Sequence, residues 1–140
     1  MDFITWTEMD SVKVDVIDDQ HKAMIAIINK LYENLTNSDK KVTERLLDEL
    51  NSNLDVHFKT EEKCMLETNY HGYISHKLEH DRFFNKIQGF IDNFKKGNSS
   101  VTLELLNSFR NWFHNHLELN DKKCGEYFAE KGVSPLKLQN

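Results

Sequence analysis

A chain of 140 residues and 16.5 kDa accommodates one domain, and its formal net charge of −5 excludes the clustered basic face that a nucleic-acid binder needs. No apolar run approaches the roughly 18 residues that cross a membrane, and the start, Met1 to Trp6, has neither the basic residues nor the apolar stretch of a signal peptide. Two cysteines, Cys64 and Cys124, make no disulfide framework, so a cytoplasmic location is expected.

In chain order, residues 1–17 read as an extended arm, with Val12, Val14 and Val16 alternating and Phe3, Ile4 and Trp6 as anchors. The first helix is expected over 19–36, with Asp18 as its N-cap and an apolar stripe of His21, Ile25, Ile28, Tyr32 and Leu35. A second, over 40–68, carries Leu47, Leu50, Leu54, His57, Glu61 and Cys64 on one stripe. A third, over 73–96, carries Tyr73, His76, His80, Phe83, Ile87, Phe90 and Phe94, and Gly97 is placed to stop it. Ser99 or Ser100 caps the fourth, which starts near 101 with Leu105, Phe109, Trp112 and His116 and fades by Gly132. Four amphipathic helices with short connections predict an all-α, antiparallel up-down-up-down bundle. The expected single domain spans 1–140: arm 1–17, bundle 18–132, and a flexible tail over 133–140.

There are 7 histidines, and five of them interrupt apolar stripes. Burying several imidazoles and a carboxylate without compensation costs several kcal/mol each, whereas a metal ion satisfies each lone pair. His57 and Glu61 are four residues apart, as are His76 and His80. Such pairs lie about 40° apart around a helix, one turn up, so both members reach one site.

The fourth helix is less regular. Of His114 and His116, the stripe selects His116. Asp121 follows it by five residues, about 140° round a regular helix. The stripe slips at that point and resumes as Asp121, Cys124 and Phe128, which is what a π-bulge would produce. A rival register uses His114, Glu118 and Asp121. His71 and His114 are otherwise incidental.

These residues resemble the hemerythrin family, especially its bacterial single-domain members. The likeness rests on the arm with Trp6, the segment Ile17-Asp18-Asp19-Gln20-His21, H-x-x-x-E at His57 to Glu61, H-x-x-x-H at His76 to His80, and H-x-x-x-x-D at His116 to Asp121. It implies two non-haem iron ions joined by an oxo or hydroxo bridge. His76, His80 and His116 would hold one iron, His21 and His57 the other, and Glu61 and Asp121 would bridge them. This set leaves one open position, on the iron with two histidines, for dioxygen as ligand. The implied function is reversible dioxygen binding for storage, transport or delivery to an oxygen-consuming enzyme, without enzymatic activity; the composition separately predicts no nucleic-acid binding and no membrane insertion, and the polar helix faces are compatible with a monomer.

The alternatives are an oxygen or redox sensor, the latter through Cys64 and Cys124, and a di-iron enzyme with a peroxidase-like or iron-repair role. The chain contains no signalling domain, which favours a carrier over a sensor. No glutamate precedes a histidine by three residues, as the ferritin-like di-iron bundles require.

Overall fold

The computed structural model describes residues 2–132, except for the side chains of residues 116–118. A short 3₁₀ turn, Glu8–Asp10, precedes α1 (Asp15–Glu33), α2 (Lys40–Glu67) and α3 (Tyr73–Lys95). The fourth rod is composite: α4 (Leu103–Trp112), a π-helical stretch over Phe113–Glu118, and α5 (Leu119–Glu130). Together they form an antiparallel four-helix bundle. The expected tail, 133–140, lies outside the described residues. No helix among the described residues is long and apolar enough to cross a membrane.

Local chemistry accounts for most of the helix ends. Asp39 caps α2 by accepting from the backbone N–H groups of Lys41 (3.1 Å) and Val42 (3.2 Å). Gly97 stops α3 with φ +80°, its N–H donating to the Phe94 carbonyl at 3.0 Å. The cap of α4 is Thr102, which accepts from Leu105 N–H at 3.1 Å, and not Ser99 or Ser100.

The start of α1 also differs from the expectation. The helix begins at Asp15 with Val14 as N-cap, so Asp18 lies one turn inside it. Asp18 instead accepts from Ser11 Oγ (2.6 Å) and Val12 N–H (2.9 Å), tying the arm to α1. Aspartate suits both roles, and only the tertiary contact decides between them. Further up the arm, Asn29 clamps Ile4 from both sides, accepting from its N–H at 2.8 Å and donating to its carbonyl at 2.9 Å.

The stripes on α2 are buried as read, whereas those on α1 and α3 drift at their ends. Tyr32 is 38% exposed and stacks on Phe3 of the arm, while Leu31 takes the core position. Likewise Ile91 is buried where Phe90 was expected, and Leu106 replaces Leu105 on α4.

The core consists of two apolar clusters. The larger contains Met24, Ile28, Leu50, Leu54, Phe83, Phe109 and Phe113 among others. The smaller contains Val12, Ile17, Cys64, Met65, Cys124 and Phe128. Along α1, α2 and the fourth rod, His21, Glu61 and Asp121 fall between these two sets.

Glycine has opposite consequences at two helical positions. A Cβ on Gly125 would lie 2.4 Å from the Val12 carbonyl oxygen, where the arm crosses α5, whereas one on Gly89 would meet nothing within 4 Å. Gly125→Ala is expected to destabilise by about 1–3 kcal/mol through overpacking, outweighing the helix propensity gained. Gly89→Ala should stabilise by about 0.5–1 kcal/mol. Denaturant melts of both variants check the contrast; equal effects would show that the arm does not press on α5.

Candidate metal centre

Six residues predicted as ligands have described side chains, and all six are buried: His21, His57, Glu61 and Asp121 are 0% exposed, His80 2% and His76 6%. They come from all four rods. Within each, helical spacing aims the side chain at the layer between the two apolar clusters. The seventh, His116, lies in the π-helical stretch, and its side chain is outside the described residues.

Asp121 organises the layer. Its Oδ2 lies 2.7 Å from His21 Nε2 and 2.9 Å from His57 Nε2, and its Oδ1 lies 3.1 Å from His76 Nε2. Each oxygen therefore faces a different set of imidazoles. Glu61 Oε1 spans the same two sides, 3.3 Å from both His57 Nε2 and His76 Nε2 and 3.2 Å from His80 Nε2. The result is two groups with converging ligand atoms, Glu61–His76–His80–Asp121 and His21–His57–Asp121, which share Asp121.

The π-helical stretch explains how Asp121 takes part. It lies between the apolar stripe of α4 and that of α5, where the sequence periodicity slips, and α5 then buries Asp121, Cys124 and Phe128 on one face. The rival register is only partly visible. His114 is half-buried and packs beside Phe113 with ring centroids 5.8 Å apart, and it belongs to neither group; the Glu118 side chain is not among those described. His71 is exposed on the α2–α3 turn.

A further ring of partners orients the imidazoles. His57 Nδ1 donates to Gln20 Oε1 at 2.8 Å. Gln20 Nε2 in turn donates to Thr60 Oγ1 at 3.1 Å, and that hydroxyl donates to the Val56 carbonyl at 2.8 Å, which fixes the amide orientation. His80 Nδ1 donates to Glu62 Oε2 at 2.8 Å. Both rings therefore keep Nε2 directed at the centre. The sequence assigns no role to Gln20 or Glu62: Gln20 stands in the segment Ile17–His21 that carries the resemblance, and the signal for Glu62 is its adjacency to Glu61.

The residues fit a pair of cations. His80 Nε2 and Glu61 Oε2 are buried and form no hydrogen bond, although the ring nitrogen is close to Glu61 Oε1. Such unsatisfied polar atoms are costly unless something else occupies their lone pairs. The donor set is imidazole and carboxylate without thiolate, which suits iron better than structural zinc.

The protonation equilibria express the same demand for positive charge. Burial would lower the histidines, but the carboxylates opposite them prevail: His21 and His80 are raised, and His76 is raised to about 10 by its hydrogen bonds to Asp121 and Glu61. Burial would raise Asp121, yet the charge at His57 and the hydrogen bonds from His21, His57 and His76 hold it well below the usual carboxylate range. The two thiols behave differently. Burial, with Glu67 and Glu61 nearby, pushes Cys64 up to about 12, and burial also raises Cys124, so both remain protonated and unreactive.

Comparison with known proteins agrees with this arrangement. Residues 12–127 match the family model of the hemerythrin HHE cation binding domain. A bacteriohemerythrin of Methylococcus capsulatus is 30% identical over 126 residues, 89% of this chain and 96% of that protein. A bacteriohemerythrin of Aquifex aeolicus is 33% identical over 116 residues, 81% and 88% of the respective chains. The crystal structure of a wild-type hemerythrin superposes with a TM-score of 0.84 at 30% identity, covering 89% of this chain and 96% of its own.

These equilibria predict how the metal-free chain responds to pH. His76 rises from 6.5 unfolded to about 10 folded, so its contribution to stability is full below about 6.5 and is lost as pH climbs through 10. Asp121 falls below 3.8, so its contribution is present above that value and is lost in acid. Thermal melts in chelator should give a Tm that is highest near about pH 5–6 and falls toward both extremes. A Tm that rises steadily to alkaline pH would contradict it.

Proposed function

The chain belongs to the hemerythrin family, and from that membership together with the geometry of the centre we propose that it binds dioxygen reversibly at a di-iron site, as a carrier, store or delivery protein. In this reading His76, His80 and His116 hold one iron and His21 and His57 the other, with Glu61 and Asp121 shared between them. When bound there, a pair of ferrous ions would supply the reversible two-electron chemistry that dioxygen binding requires. Everything else is supplied by the polypeptide.

The observation that carries the oxygen-binding reading is an apolar cavity beside the centre. It is lined by Met24, Ile28, Leu50, Leu54, Phe83, Phe109, Trp112 and Phe113 and is small, about 10 Å³. Met24, Leu54 and Phe83 each lie three residues, less than one turn, from His21, His57 and His80. Phe113 also packs edge-on against His21, with ring centroids 5.2 Å apart. A space without polar lining offers a water no hydrogen-bond partner.

Dryness is what reversibility requires. None of the lining side chains is an acid or a base, so among the described residues no titratable proton donor lines that space. Phe58, stacked on His80 with centroids 4.0 Å apart, and Trp112, stacked on Phe83 at 3.5 Å, close the remaining flank against water. The protonated, buried thiols weigh against redox sensing through Cys64 and Cys124.

The test is metal analysis and visible spectroscopy of the reduced protein. The expected result is about two iron ions per chain and an absorption band that appears with oxygen and vanishes when oxygen is removed. A single metal, zinc, or irreversible conversion to the ferric form on first exposure to air would overturn the carrier reading. Asp121→Ala should reduce the iron content well below that of the parent; unchanged content and an unchanged band would overturn the role given to Asp121.

A further inference from the structure

The two ends of the centre are backed differently, and the difference is electrical. His57 Nδ1 donates to an amide oxygen, Gln20 Oε1, and His80 Nδ1 donates to a carboxylate oxygen, Glu62 Oε2, both at 2.8 Å. The distances match and the charges do not. We propose that Glu62 is a positioning and tuning residue that makes the His80 end of the centre more electron-rich than the His57 end, so that the two metal ions are inequivalent in redox potential and affinity.

The physical basis is the polarisability of imidazole. A carboxylate that accepts the Nδ1 hydrogen draws the proton toward itself and raises the basicity of Nε2, the nitrogen left to bind metal; a neutral amide does so much less. A more basic ligand favours the more highly charged metal ion. The ligand set at the His80 end would therefore stabilise the higher metal charge more than that at the His57 end.

Several features direct the charge of Glu62 to His80. Its side chain is 18% exposed, so water screens it only in part. Among the described residues it forms no close ion pair with a lysine or arginine; Lys77 feels its charge but is hydrogen-bonded to Asp81 at 2.9 Å. The ring itself has little freedom. Phe58 covers one face, and consecutive residues of α2 address its two nitrogens, Glu61 Oε1 at 3.2 Å from Nε2 and Glu62 at Nδ1. On the other side Gln20 is committed to Thr60 and has no charge to offer.

This inference rests on the metal-centre reading above, and the experiment separates the two. Glu62→Gln keeps a hydrogen-bond acceptor and removes the charge; Gln20→Glu adds a charge at the other end. Anaerobic cobalt(II) titration followed by its visible absorption reads affinity without iron or oxygen, and spectroelectrochemistry of the iron-loaded proteins reads the two potentials. Glu62→Gln should bind cobalt about 10-fold more weakly at one of two sites and raise one iron potential. Gln20→Glu should lower the other potential, and Glu62→Asp should restore the parent values at least in part. If the parent binds two metal ions while Glu62→Gln leaves affinities and potentials unchanged, the role of Glu62 is overturned and the centre stands. If the parent binds neither two cobalt nor two iron ions, the centre and the role of Glu62 fall together.

Discussion

Two fully buried carboxylates in the middle of a four-helix bundle impose the constraint to which the rest of the structure answers. An ionised carboxylate taken out of water costs several kcal/mol even after the protein relaxes around it. Glu61 and Asp121 are both 0% exposed, and neither is paired with a lysine or arginine among the described residues. Their partners are imidazoles, which supply positive charge only by taking up a proton or by delivering a metal ion. The raised histidines and the lowered aspartate are the metal-free resolution of that demand. A bound metal pair is the alternative resolution, and it competes with the same protons for the same nitrogens.

The two apolar clusters keep this layer closed. Leu54 and Phe58 on one side and Cys64 and Met65 on the other bracket His57 and Glu61 along α2 alone. The N-terminal arm completes the smaller cluster by laying Val12 over Gly125, and Asp18 fastens it there. A low-dielectric surround strengthens each interaction inside the layer and raises the cost of leaving one unmade. Closing the bundle and excluding water from the centre are thus one packing problem. The ligands stand on regular helices and not on loops, which holds them in register.

Much of this was legible in the sequence because it is periodic. The stripe Leu47–Leu50–Leu54–His57–Glu61–Cys64 contains polar residues at positions whose spacing permits only the interior, and the structure buries all six. What was not legible depends on contacts between distant segments. Asp18 has the chemistry of an N-cap and serves as a tether, because Ser11 and Val12 fold back onto it. Tyr32 has the spacing of a core residue, yet it stands at the surface against Phe3. Glu62 carries no motif, and Gln20 stands in the segment before His21 with no role legible there. They acquire meaning only when α1, α2 and α3 are packed and their oxygens meet Nδ1 of a histidine on another helix.

The fourth rod shows how an irregularity in a sequence can be the more informative signal. A regular helix that kept Phe109 and Phe113 in the larger cluster would rotate Asp121 away from the layer, leaving Glu61 as the only carboxylate. The π-helical stretch widens one turn and returns Asp121, Cys124 and Phe128 to the interior. Such stretches are rare and give poorer backbone geometry than an α-helix, so something must offset the cost. Here the offset is Asp121 itself, whose two oxygens meet imidazoles from α1, α2 and α3. The irregularity of the fourth rod and the closure of the polar layer are therefore coupled. A change that regularised the helix would leave three imidazole nitrogens without their shared acceptor.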